Sequence, residues 1–192
     1  MPNNSMILSS RRAFLGKTGK TLSATALAMV VGGNIRSATA TTTDASQDIK
    51  ILNAAIALEH EGIAAYQIAA TSGLLDPAVV DIGVTFQGHH KGHRDVLVKA
   101  VEMLGGTPAE EKSLGAYAQE LKASTLKNQA DVLRLALALE TGAANAYLGL
   151  IPSLGPDYHQ VAAQMAGDEA FHAAILANAL GQPIPKAALM FG

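Results

Sequence analysis

The chain has 192 residues, 49% of them apolar and only 4% aromatic, and it contains no cysteine. That length suits one domain plus an additional segment, and the missing thiols exclude disulfides, thiolate catalysis and thiolate metal sites together. Five of the 14 bases (Arg11, Arg12, Lys17, Lys20, Arg36) and none of the 16 acids precede Thr41, so the remainder sets nine bases against 16 acids, about −7, which argues against nucleic-acid binding.

At the start, Ser10-Arg11-Arg12-Ala13-Phe14-Leu15 is followed by an apolar run from Thr21 to Val31 and then by the small-x-small site Ala38-Thr39-Ala40. A twin-arginine pair, an apolar run and a cleavage site in that order look like a Tat-type secretion signal over residues 1–40. The run is far short of the roughly 20 residues that span a bilayer. The expectation is a mature domain of residues 41–192, exported to the periplasm or beyond, without a membrane span.

From Ser46 to Leu180 the apolar residues recur at spacings of three and four, and Gly or Pro marks each break. This predicts four helices at about 47–71, 77–104, 126–151 and 157–180, and no segment alternates as a strand would. Two joints are tight. The stretch from Gly105 to about Thr125 is long enough to run the length of a bundle and has room for a short helix near Glu110 to Lys122. Tight, long, tight is the connection pattern of an all-α antiparallel four-helix bundle with one long crossover between helices 2 and 3, as in ferritin-like folds.

Taken in steps of three and four, the first inward stripe is Leu52, Ile56, Glu59, Ile63, Tyr66 and the third is Leu133, Leu137, Glu140, Ala144, Tyr147. A carboxylate sits mid-stripe in both. Ala57-Leu58-Glu59 through Tyr66 returns as Ala138-Leu139-Glu140 through Tyr147, and His90 with His93 corresponds to Glu169 with His172. Two copies of one helical hairpin follow. A buried lone carboxylate is costly, and residues three apart share a helix face. Glu59, His90, His93, Glu140, Glu169 and His172 would therefore surround one metal site at mid-bundle, holding one or two ions. Carboxylate and imidazole without sulfur suit iron or manganese and admit zinc.

On these residues the chain resembles the ferritin-like superfamily, which carries a Glu on each of two helices and Glu-x-x-His on each of the other two around a dinuclear iron or manganese centre. The resemblance, strongest to exported Tat-signal-bearing members, covers nearly all of residues 47–180. It matches Glu59 and Glu140 to the single glutamates, Glu169 with His172 to one Glu-x-x-His, and His93 to the second histidine. His90 departs, standing where the pattern has a glutamate that usually bridges the metals. Gln87, one turn earlier, is the nearest amide, but it shares a face with Lys91 and Arg94 and is expected to point outward. Losing one bridging carboxylate favours divalent ions and an asymmetric or mononuclear site, and disfavours bulk iron storage.

Other readings stay open. His89 flanks its stripe and replaces His90 as ligand if the helix is rotated by a quarter turn. Tyr66 and Tyr147 suit core packing, hydrogen bonding to the ligands or redox activity, with packing preferred. His60, Glu61 and His159 fall off the stripes and are expected to be solvated, while Met103, Met165 and Met190 read as packing residues. Two functional classes result. One is a metal-dependent protein that handles oxygen or peroxide, an oxidoreductase. The other is a helical scaffold or binding protein with a degenerate or single structural metal site. An Ala-rich bundle is also compatible with a homodimer, and the apolar Ala187 to Phe191 could pack back or meet a second subunit.

Overall fold

The computed structural model describes residues 45–191, so the expected signal over residues 1–40 lies outside the described residues. Five helices follow in order: α1 Ala45–Thr71, α2 Pro77–Met103, α3 Leu114–Glu120, α4 Gln129–Leu150 and α5 Pro156–Ala179. Short 3-10 turns occupy Ala123–Thr125 and Ile151–Ser153, and there is no strand among the described residues. The four long helices begin and end within three residues of their expected bounds. None is long and apolar enough to cross a membrane.

Local chemistry sets the boundaries. Pro77 occupies the first turn of α2, where its missing N–H costs nothing. Asn128 caps α4 by accepting the Asp131 N–H at 3.0 Å. Gly73, Gly105 and Gly181 follow the ends of α1, α2 and α5 with φ near +70°, the left-handed turn that glycine enters without a Cβ clash.

α1 packs chiefly along α2, and α4 along α5, so each half is a hairpin as the internal repeat requires. Between them the crossover carries α3 and lies against α1. Asn53 on α1 holds it there, donating to Thr107 O at 2.9 Å and accepting from Ala109 N at 2.7 Å.

That crossover explains one departure from expectation. His60 and Glu61 are buried rather than solvated, because the outer face of α1 is a second interface under the crossover. His60 Nε2 lies 3.2 Å from Ala109 O. Gln87 is likewise buried: it turns inward and donates to Ile63 O at 3.0 Å, while Lys91 bonds its carbonyl from outside at 2.8 Å. Of the three methionines expected to pack, Met103, Met165 and Met190, only Met165 does so in the core. Met103 is 84% exposed and Met190 half-exposed.

The core is uneven along the bundle. At the end formed by the start of α1 and the close of α4, one continuous cluster joins all four long helices, among them Leu52, Ile56, Val101, Tyr147 and Met165. At the opposite end the apolar residues form two smaller groups, one around Tyr66 and Phe86 and one around Tyr117 and Leu121. The polar centre sits between the two ends.

Candidate metal centre

All six expected ligands are buried, each no more than 8% exposed, and they converge at one level of the bundle. Two sets of four side chains bring ligand atoms within 4.8 Å of one another: Glu59, His90, His93 and Glu169, and His90, Glu140, Glu169 and His172. His90 and Glu169, equivalent positions in the two hairpins, belong to both sets. Glu169 spans them with Oε1 3.1 Å from His93 Nδ1 and Oε2 3.2 Å from His172 Nδ1. His90 spans them too, with Nδ1 2.8 Å from Glu59 Oε2 and Nε2 3.3 Å from Glu140 Oε1.

His90 fits because α1 has no side chain opposite it. A Cβ placed on Gly62 would stand 2.9 Å from the His90 ring. The matching residue in the second hairpin is Ala143, so the missing Cβ occurs in the copy that carries the imidazole and not in the copy that carries Glu169.

Bonds around the ligands are exchanged reciprocally between the hairpins. Tyr66 of α1 donates its hydroxyl hydrogen to Glu140 of α4, and Tyr147 of α4 donates to Glu59 of α1. Both tyrosines therefore hold the carboxylates as well as pack. On the outside, Asp168 of α5 approaches His93 Nε2 at 3.1 Å, while His89 of α2 approaches His172 Nε2 at 2.9 Å. His89 and Asp168 are equivalent positions immediately before the two ligand pairs. His89 thus meets the centre from outside, through His172, and His90 holds the inner position. An outer partner on the second ring nitrogen fixes the tautomer and orientation of a metal-binding histidine.

The electrostatics follow from burial and pairing. Burial alone would raise Glu59, but bonds from His90 and His93 outweigh it and hold its carboxyl below the usual range. Glu140 lies well below that range for the same reason, through Glu169, His172 and His90. Glu169 moves the other way: burial and its bond to Glu140 push it up, so Glu140 ionises first and Glu169 keeps its proton longer. Burial disfavours charge on His93, yet Glu169 and Glu59 bring it up to about 10, and His90 is raised well above its ordinary value by Glu140 and Glu59. Without an ion, protonated imidazoles thus supply the positive charge that the carboxylates demand. An ion binding here would replace those protons.

The donor chemistry fits such an ion. Three carboxylates and three imidazoles, each oriented by a further bond or neighbour, supply only nitrogen and oxygen at one buried point.

A family profile described as a ferritin-like domain matches residues 47–182. The chain belongs to the ferritin-like domain family. No match is found among curated proteins. Among solved structures, a conserved hypothetical protein of Mycobacterium tuberculosis is similar at 24% identity, with a TM-score of 0.59 over 74% of this chain and 96% of that one. At that identity the likeness supports the fold of this ferritin-like protein and says nothing of its chemistry.

Two features of the centre were not visible as periodicity. The tyrosine–glutamate exchange depends on how the hairpins are set lengthwise, and Gln87 is turned inward by a backbone carbonyl on α1. The identical Glu-to-Tyr spacing in the two copies was the available signal for the first.

Proposed function

We propose that this ferritin-like protein is an exported metal protein whose centre holds one or two iron or manganese ions through Glu59, His90, His93, Glu140, Glu169 and His172, and handles oxygen or peroxide. The observation that carries it is the pair of overlapping four-ligand sets that share His90 and Glu169 at one buried level. A structural polar network has no reason to present two such sets; two adjacent cations do. The Arg11-Arg12 leader supports export of a protein already folded around its metal.

A bound redox-active ion would supply electron exchange with the oxidant. The protein's own residues supply the rest. Tyr66 and Tyr147 anchor Glu140 and Glu59 and keep a hydroxyl hydrogen beside each. Glu169, the carboxyl pushed upward, gives up its proton after Glu140 at the junction of the two sets. The cluster around Leu52 and Tyr147 shuts water out from one end.

The test is elemental analysis of the chain exported through its own leader, alongside Glu140→Ala and His172→Ala. One or two iron or manganese ions per chain, lost in both variants, is the expected result. A chain that carries no metal, or whose metal survives both substitutions, would be a helical scaffold instead.

A further inference from the structure

The loosely packed end of the bundle contains a cavity of about 40 Å³, partly open to solvent, between α1 and α4. Ala65 and Ala69 form one wall and Leu135 and Ala136 the other, with Leu121 and Leu126 of the crossover as its roof. Its inner end is the edge of the metal centre, His90 and Glu140. The space exists because of a difference between the two copies of the hairpin. Ala69 corresponds to Leu150, which fills the equivalent place at the packed end, where the remaining cavity is only about 10 Å³.

The lining specifies the guest. Polar groups at the inner end are already committed: Tyr66 to Glu140, and the two His90 nitrogens to Glu59 and Glu140. An ordered water needs two to four polar partners and finds few here. The Glu61 and Glu140 carboxyls on the wall repel anions. The volume is well below the roughly 150 Å³ of an apolar cavity that takes benzene, so the guest has about two to four heavy atoms.

We propose that this cavity is a binding site for one small, uncharged, apolar molecule, a dissolved gas or short hydrocarbon, which it seats against the His90–Glu140 edge. The guest's role as a reactant rests on the metal-centre reading above; the binding site does not.

Crystals of the metal-free protein pressurised with xenon, and separately with propane, test this. Xenon density between Ala69 and Ala136 is expected, and it should be lost in Ala69→Leu, which copies the packed end, and in Ala136→Leu, while both variants, exported separately, carry the same metal content as the parent chain. Xenon without propane marks a gas site, and both together a hydrocarbon site. An ordered water in place of xenon, or xenon persisting in folded Ala69→Leu and Ala136→Leu proteins, overturns the proposal. If xenon is seated but the exported protein carries no metal, the site stands and the reactant role falls, so the two failures are distinguishable.

Discussion

The two ends of this bundle are built from the same repeated hairpin and solve different problems. At one end, residues from all four long helices interlock around Ile56 and Val101, both without solvent exposure. At the other, Ala69 stands where the packed end has Leu150, the apolar contacts divide into separate groups, and the crossover roofs a cavity that reaches the polar centre. Six ionisable ligands crowded at mid-bundle oppose folding wherever their pairing is imperfect. The closely packed end offsets that cost, which leaves the other end free to stay open to the site. Stability and access are thus separated along one axis.

The sharpest way to break this comparison is to truncate an isoleucine at each end. Ile56→Ala should cost about 3–4 kcal/mol, because the cluster around it cannot collapse into the void. Ile68→Ala, on the half-buried wall of the cavity, should cost about 1 kcal/mol. Chemical denaturation of the metal-free protein measures both, and equal losses would mean the two ends are equally packed.

The centre between them should respond to pH rather than to volume. His93 has a folded pKa of about 10 against an ordinary 6.5, so the folded chain keeps a proton that the unfolded chain releases. Its stabilising effect is complete below pH 6.5 and lost as pH rises toward 10. In the metal-free protein His93 alone should remove about 2 kcal/mol across that window, roughly 4–8 °C in Tm. That is under half of the roughly 5 kcal/mol of the full shift, because its partly solvated ring is screened. His90 and His172, raised by the same carboxylates, add to the fall. His93→Gln should flatten the fall. Ile56→Ala should lower the whole curve and leave the slope, since the packed cluster holds no titrating group in this range.

The tyrosines compare the ends at closer quarters. Tyr147 belongs to the packed cluster and Tyr66 lines the cavity. Removing either hydroxyl takes one donor from a buried carboxylate that keeps its imidazole bonds. Glu59, however, sits beside the packed cluster, which holds it rigidly, whereas Glu140 borders the looser end, whose side chains can shift to reduce the loss. Tyr147→Phe should therefore cost about 1–2 kcal/mol and Tyr66→Phe less, read from thermal melts of the metal-free variants. Equal losses would mean that the two ends hold their carboxylates equally firmly.

Much of this was legible in the sequence, for a physical reason. Long amphipathic helices announce themselves by spacing, and a repeat that places Glu59 and Glu140, then His93 and His172, at matching points fixes their level without knowledge of packing. What escaped were residues governed by contacts off the inward stripe. His60 and Glu61 face the crossover, which a two-layer picture of α1 omits. Gln87 was assigned outward by its neighbours Lys91 and Arg94, yet a single carbonyl on α1 turns it inward. Met103 looked like packing because methionine usually is, and it lies at the last exposed turn of α2. Periodicity reports one face of a helix, and α1 has two.

The smallest expected difference lies in how the hairpins are fastened to each other. At the packed end Asp48 on α1 is buried and accepts the Gly155 N–H at 2.8 Å, fixing the start of α1 to the turn before α5. At the open end Gln129 on α4 grips Asp76 before α2 with two bonds, accepting from Asp76 N at 2.7 Å and donating to its carboxylate at 3.2 Å, both in solvent. Two bonds against one would favour the open end if number decided. Exposure reverses this, because water replaces the partners of Gln129 at little cost while the Gly155 N–H is left buried without an acceptor. Asp48→Ala should therefore cost about 1 kcal/mol and Gln129→Ala no more than about 0.5 kcal/mol. Amide exchange separates the two further: the N–H of Gly155 should lose protection in Asp48→Ala, whereas that of Asp76 should exchange quickly even before Gln129 is changed. A protected Asp76 amide would show the open end closing more firmly than its packing implies.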